Sequence, residues 1–394
     1  MKFTFVSNYL NHHQIPFCDK MQDLCEGDFH FIAIEPMANE RMAMGWQVDR
    51  QYVYEVKYWQ SSSEKRLGER LIAESDVVVF GGGSYAPLIA DRIKKNKLTF
   101  LYSERIYRRG LWRVFSPRGQ YYLRRDNTQY MKNKLYLLSA GAYVPMDFAM
   151  VQAYKHKSYK WGYFPQTYHY DLDELFAKKT GKIEILWVSR FIPLKHPEKV
   201  LNLAKHLKKD GYEFHINMIG IGEMREEIDA QIQDIYLEKY ISLLGSMKPH
   251  EVRQYMEEAN IFLFTSDYQE GWGAVLNESM NSGCAVVASH AIGATPYLIK
   301  HGVNGLIYKD ESQDDLYRQV KSLMDDRAMA KRLGANAYFT IIKTWNAENA
   351  ARNLVKLAEA LLNDQKTPIV EGPGSIAPLI WQWNMYSRIM KGRV

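Results

Sequence analysis

Apolar and polar positions alternate along this chain in two rhythms. The short apolar runs FTFVS (3–7), FHFIAIE (29–35), DVVVFGG (76–82), LTFLYSE (98–104) and FAMVQAY (148–154) read as strands. KRLGERLIAES (65–75) and APLIADRIKKNK (86–97) read as helices. Strands separated by helices imply right-handed crossovers and a parallel sheet.

The stretch WGYFPQTYHYDLDELFAKKT (161–180) breaks this rhythm with aromatics, a proline and charges, and then the rhythm restarts more cleanly. IEILWVS, FHINMIGIG, ISLLGS, NIFLFTS and CAVVAS read as strands. HPEKVLNLAKHLKKDG, MREEIDAQIQDIYLEKY and HEVRQYMEEA read as helices between them, and IGATPYLIKHGVNGLIY is rich in turns. AENAARNLVKLAEALLN and PLIWQWNMYSRIMKG read as closing helices, joined by the Pro- and Gly-rich segment DQKTPIVEGPGSIAP. The chain is expected to be α/β, with two doubly wound domains facing a cleft and the C-terminal helix returning to the N-terminal domain. The expected boundaries are 1–165 for the first domain, 166–181 for a linker, 182–365 for the second domain and 366–394 for a linker and final helix.

Composition narrows the picture. A chain of 394 residues is too long for one ordinary core and fits two domains. With 46% hydrophobic and 24% charged residues it reads as globular. No apolar run approaches the roughly 18–20 residues that span a bilayer, and the opening MKFTFV reads as a strand rather than a signal peptide. The three cysteines, Cys18, Cys25 and Cys284, have no metal-ligand spacing, so a reducing, cytoplasmic setting is expected. The net charge of +6 suits an anionic ligand or an anionic membrane surface.

The candidate chemistry gathers in the second half. EGWGAVLNES follows a strand, and in open α/β sheets ligands bind at the carboxyl edge. Gly271 and Gly273 permit close approach of a ligand to the main chain, and a helix starting near Ala274 favours an anion. Glu270 is placed to accept hydrogen bonds from sugar hydroxyls, and Glu278, one turn into the helix, to grip a vicinal diol. On the glutamate pair alone a plain helix start, with Glu270 favouring the dipole and Glu278 solvated, is the simpler reading, and the Gly-Trp-Gly between them weighs against it. WVSRFIPLKHP brings Arg190 and Lys195 to the same edge, where two cations would stabilise a departing diphosphate. Gly245, Ser246 and Met247 end another strand and offer backbone groups and a flat apolar contact to a nucleobase.

Taken together, Arg190–Lys195, the turn at Gly245, the pair Glu270 and Glu278, and SGCAVVAS…GATPYLIKHGVNGLIY resemble the donor-binding half of retaining GT-B glycosyltransferases of family 4, also called group 1, over about residues 183–345. The resemblance implies two Rossmann-like domains, the first for the acceptor and the second for a nucleotide-sugar donor. It implies that Glu270 meets the donor sugar and Glu278 the ribose. Gly271, Trp272, Gly273, Ala274, Val275 and Leu276 would line sugar and phosphate. Arg190 and Lys195 would neutralise the diphosphate, and Gly245 to Met247 would meet the base. It implies no cofactor and no metal, with a UDP-sugar ahead of a GDP-sugar as the donor, and an acceptor that is a glycan or a polyprenyl- or other lipid-linked sugar. The family usually has glycine after its lysine, whereas His196 and Pro197 follow here.

The first half carries further candidates. Asn8, His12 and His13 follow the first strand, and Glu104 stands where the family usually has a histidine that meets the donor sugar. GGGSYA places Gly82, Gly83 and Ser84 after a strand; read literally it also fits the looser dinucleotide fingerprint, so an NAD(P)-dependent oxidoreductase is an alternative class. A sugar-nucleotide-binding protein without catalysis is another. The span Arg105–Arg125 holds seven arginines interleaved with aromatics and reads as a surface for anionic lipid at the inner face of the cell membrane, with no nucleic-acid fold motif beside it. Asp171 and Asp173 look like part of a metal motif but are read as a helix cap, so no metal is assigned.

Overall fold

The computed structural model describes residues 1–39, 42, 50–81, 86–108, 110 and 115–392. The chain divides into two compact units, Met1–Gln166 with Thr344–Ile380, and Thr167–Lys343 with Trp381–Val394.

The first unit is built on a seven-stranded sheet. Its elements are β1 (Phe3–Ser7), α1 (Ile15–Leu24), β2 (Phe29–Ala33), β3 (Glu55–Lys57), α2 (Ser62–Glu74), β4 (Val77–Gly81), α3 (Ala86–Lys94), β5 (Thr99–Ser103), α4 (Pro117–Thr128), β6 (Leu135–Ala140), α5 (Val144–Met150) and β7 (Ser158–Trp161). The strand order is β3-β2-β1-β4-β5-β6-β7, and every pairing is parallel. All five residues of β4 are buried, which suits a central strand covered on both faces.

Three strands were not anticipated, and one expected strand is absent. FAMVQAY forms the end of α5 and a turn. Val144, Phe148 and Val151 enter the core together at helical spacing, and Gln152 and Tyr154 then take left-handed backbone with φ of 66° and 51°. The sixth strand is instead LYLLSA. The closing segment 364–378, expected as a linker, is a strap along the open edge of β7: Lys160 donates its N–H to Ser375 O (2.8 Å) and Ala377 to Ser158 O (3.0 Å).

The second unit carries α6 (Leu172–Ala177), β8 (Ile183–Val188), α7 (Pro197–Lys209), β9 (Phe214–Ile219), α8 (Arg225–Asp234), β10 (Ile241–Gly245), α9 (Pro249–Glu258), β11 (Ile261–Phe264), α10 (Val275–Asn281), β12 (Ala285–Ser289), α11 (Thr295–Leu298), β13 (Leu306–Tyr308), α12 (Gln313–Asp325) and α13 (Arg327–Lys343). Its sheet runs β10-β9-β8-β11-β12-β13 and is parallel throughout. Counted within the unit this is the order 3-2-1-4-5-6 of dinucleotide-binding folds. Asp171 caps α6 by accepting from the N–H groups of Asp173 (2.8 Å) and Glu174 (3.2 Å). Among the described residues, no group of His, Cys, Asp or Glu could hold a metal ion.

Three of the expected assignments need correction. Residues 344–365, expected in the second domain, belong to the first unit, where α14 (Ala347–Leu362) packs on α1. It is this helix, and not the final one, that joins the N-terminal fold. Its buried stripe of Ala350, Leu354, Leu357 and Leu361 accounts for this. The last helix, α15 (Gln382–Met390), belongs to the second unit, where Tyr386 donates to Asp315 Oδ2 at 2.6 Å. Residues 167–181, expected as a linker, are part of the second unit as well.

Among the described residues of the first unit, Arg105 and Asp147 form a fully engaged buried ion pair. Arg105 donates from Nε (3.1 Å) and Nη2 (3.0 Å) to Asp147, which also accepts from the Tyr107 N–H (3.2 Å). Asp147→Asn removes the negative charge paired with a buried guanidinium and is expected to cost about 3–5 kcal/mol. A matching fall in the urea midpoint by circular dichroism would check this, and an unchanged midpoint would refute it.

Candidate functional site

In the second unit the strand order reverses between β8 and β11, so the loops leaving these two strands diverge and open a crevice at the carboxyl edge. Arg190 and Lys195 lie on the first of these loops, and Glu270 to Ala274 on the second. The loops meet. The Lys195 ammonium is in contact with Glu270 Oε2, which also accepts from the Ser266 hydroxyl at 3.1 Å. Both side chains are mostly buried, at 13% and 14% exposed.

A buried hydroxyl holds the loops in register. Thr265 Oγ1 accepts from Trp187 Nε1 (2.8 Å) and donates to the Lys195 carbonyl (2.6 Å). The Asp267 N–H donates to Leu194 O at 3.0 Å. The Arg190 segment is fixed from the other side by the turn after β9: Ser189 donates its N–H to Ile219 O (3.0 Å) and Phe191 to Ile221 O (2.9 Å). Gly220 permits this approach, since a Cβ there would lie 1.8 Å from Ser189 O. Gly220 also donates its N–H to Gly245 O (2.8 Å), which ties in the turn after β10. There Ser246 is exposed and Met247 half-buried.

His196 occupies the position after the lysine with φ 51° and ψ 55°, the left-handed region. This is the conformation for which glycine is usual, and histidine is among the residues enriched there. The loop therefore keeps the turn, and Pro197 starts α7 at a position where the missing N–H costs nothing. His196 Nδ1 lies 2.7 Å from Glu198 Oε1, and Nε2 lies 3.4 Å from Asp267 Oδ2. The hydrogen bonds to Asp267 and then Glu198 outweigh burial and raise its pKa to about 9.

Beyond Glu270, Gly271 and Trp272 are buried, and Gly273 has φ 83°. A Cβ on Gly273 would lie 2.2 Å from Phe264 Cζ, so the turn needs glycine on both counts. Trp272 anchors the turn by donating from Nε1 to Asn277 Oδ1 at 2.9 Å. Ala274, Val275 and Leu276 begin α10, a helix of seven residues. Glu278 is partly buried, 4.0 Å from Arg253 Nη2. Burial raises its pKa, and the Arg253 charge opposes the shift. Arg253 Nη1 donates to Glu278 O (2.9 Å), Asn281 Oδ1 (3.2 Å) and Ser282 Oγ (3.2 Å).

These features coincide with a known family. Residues 172–339 match the family described as Glycosyl transferases group 1. This segment is a group 1 glycosyl transferase domain. The chain is 28% identical over 184 residues to the amylovoran biosynthesis glycosyltransferase AmsK of Erwinia amylovora, covering 45% of each protein. It is 27% identical over 173 residues to an N-acetylgalactosamine-N,N'-diacetylbacillosaminyl-diphospho-undecaprenol 4-alpha-N-acetylgalactosaminyltransferase of Campylobacter jejuni, covering 44% of this chain and 45% of that one. The chain thus spans about half the length of the curated relatives it matches. HepE of Anabaena, solved in complex with UDP, superposes with a TM-score of 0.66 at 15% identity, over 92% of this chain and 100% of that one. The fold is that of the GT-B glycosyltransferases.

The group 1 domain starts earlier than the motifs indicated, because α6 is part of it. Arg253 was missed in the sequence, since an arginine inside a helix gives no signal of its own. Gly220 in MIGIG could have been found: a glycine directly after a strand marks a close backbone approach.

In the first unit, His12 and His13 follow β1 with ring centroids 3.8 Å apart, and burial lowers the His12 pKa to about 4. Tyr163 bridges this region to Glu104, donating to its Oε1 at 3.2 Å, with the His13 ring 6.5 Å away. Glu104 also accepts from Arg108 at 2.9 Å. Asn8 is exposed, and its carbonyl accepts from the Glu35 N–H at 2.8 Å. Gly82, Gly83 and Ser84 lie outside the described residues. The basic span also needs correction: Arg105 is buried against Asp147, so the exposed surface begins later.

Thr265→Val in the group 1 domain leaves Trp187 Nε1 and the Lys195 carbonyl without this partner and is expected to cost about 2 kcal/mol. Denaturant unfolding checks it, with Thr265→Ser retaining most of the stability.

Proposed function

We propose that the chain is a retaining glycosyltransferase that moves a sugar from a nucleotide-diphosphate sugar, a UDP-sugar ahead of a GDP-sugar, to a glycan or lipid-linked acceptor in surface polysaccharide synthesis. The observation that carries this reading is the meeting of Lys195 and Glu270 across the switch point of the second sheet. An ammonium has three donors, so contact with Glu270 leaves capacity for phosphate oxygens. Arg190 on the same loop supplies a second, permanently charged fork. Two cations supply the charge that a metal would otherwise bring to the diphosphate, which supports metal-independent transfer.

In this reading the bond from the sugar's anomeric carbon to the diphosphate oxygen breaks, and the acceptor oxygen bonds to that carbon on the same face. The acceptor proton passes to the departing phosphate. The protein contributes position and field more than a general base. Glu270 orients the sugar hydroxyls, Glu278 the ribose, and the turn Gly245 to Met247 the base. His12, His13 and Glu104, gathered around Tyr163, would meet the acceptor.

The relatives support the setting, since one is named for amylovoran biosynthesis and another for a diphospho-undecaprenol acceptor. In α4 no residue is buried, and Arg118, Tyr121, Tyr122, Arg124 and Arg125 are exposed, with Phe115 just before it 83% exposed. This basic and aromatic face suits anionic lipid and supports a peripheral position at the cytoplasmic side of the membrane. Three buried free cysteines suit that compartment. Among the described residues no helix is long and apolar enough to cross a membrane.

Titration calorimetry in excess EDTA should show UDP and a UDP-sugar binding, and NAD not binding. Lys195→Ala should lower transfer and donor hydrolysis by about 10²–10³-fold while the circular dichroism spectrum is kept. Undiminished turnover in Lys195→Ala, or a strict requirement for added metal, would overturn the reading.

A further inference from the structure

The reaction described above assigns no part to His196. His196 stands between the lysine and α7, at the point where the β8 loop passes the β11 loop. Its two ring nitrogens face carboxylates from two different segments: Glu198 of α7 on one side (2.7 Å) and Asp267 of the β11 loop on the other (3.4 Å). Asp267 is a fixed anchor. Its Oδ1 accepts from the Gln269 N–H at 2.8 Å, and its carbonyl accepts the Glu270 N–H at 3.1 Å. The next residue along one loop is Lys195, and three residues along the other is Glu270.

We propose that His196 is a positioning residue for donor transfer: its ring ties the Lys195 loop to the Glu270 loop through Asp267 and so sets the register in which ammonium and carboxylate meet. The inference rests on the donor-site reading above. A glycine at this position would allow the same backbone turn but could not make the tie. The family's usual residue therefore lacks a charged cross-link that this chain has.

The charged groups around the ring decide when the tie holds. Asp267 and Glu198 attract it. Lys199 repels it from α7, but its ammonium is engaged 3.0 Å from Asp310. Burial raises the Asp267 carboxyl, yet hydrogen bonds from His196 and Gln269 outweigh it and hold the group below its usual range. Glu198 is lowered likewise, burial being outweighed by His196. Since the folded pKa of His196 is about 9 against 6.5 unperturbed, its contribution is complete below pH 6.5 and is lost as pH rises through 9. On the acid side it persists until the two carboxylates protonate, which their lowered pKa values move below the usual carboxylate range.

The test has two arms on the intact chain. The first needs no ligand: the His196 ring resonances, assigned by their loss in His196→Asn, are followed by NMR from pH 5 to 10. A midpoint near 9 is expected, moving lower in Glu198→Gln; a midpoint near 6.5 overturns the proposal. The second arm compares UDP affinity and turnover of wild type and His196→Asn, chosen because asparagine tolerates the left-handed turn. At pH 7 the variant is expected to be roughly tenfold poorer, and the gap should close above pH 9. Equal behaviour across the range overturns the proposal. Failure of the wild type to bind UDP at pH 7 would instead refute the donor-site reading and leaves the NMR arm to decide the tie.

Discussion

The second unit depends on one buried oxygen. Thr265 Oγ1 takes the indole proton of Trp187 and gives its own to the Lys195 carbonyl. Three segments are thereby fixed at one point: β8, the loop that leaves it, and the loop that leaves β11. Each polar atom would be costly if left alone in a core that includes Trp187 and Phe191. The contact between Lys195 and Glu270 is a consequence of that constraint, since neither long side chain could hold its position in water at useful cost.

Charge at the crevice is arranged in opposed pairs. Lys195 meets Glu270, Arg253 supports Glu278, and His196 lies between Asp267 and Glu198. Such pairing offsets part of the cost of burying each charge. α10 has only seven residues, and its dipole acts chiefly within its first turn.

Much of this was legible. The parallel α/β class, the two-part division and the edge carrying Glu270 all follow from the spacing of apolar runs and from where the loops must leave a parallel sheet. The failures are local and have causes. FAMVQAY holds enough apolar residues for a strand, but Pro145 at its helix start and the left-handed turn at Gln152 give it helical periodicity instead. The 364–378 segment reads as a linker by its prolines and glycines, yet those residues suit a strap that pairs irregularly with an edge strand. Arg105 looked like surface charge among other arginines, and only its partner Asp147, 42 residues away in the chain, makes it a core residue.

The sequence by itself determined which residue types reach the crevice, because the order of strands and loops is local information carried by period and by glycine. Tertiary structure alone decided which of them touch. Lys195 and Glu270 are 75 residues apart, and Thr265 and Lys195 are 70 apart. Contacts at such separation depend on the sheet's strand order and on the volume left between packed side chains, and no pattern within either segment encodes them. The same holds for His196: its departure from glycine and its neighbour Glu198 are visible in the sequence, while Asp267, the carboxylate that does most to raise its pKa, is brought to it only by the fold.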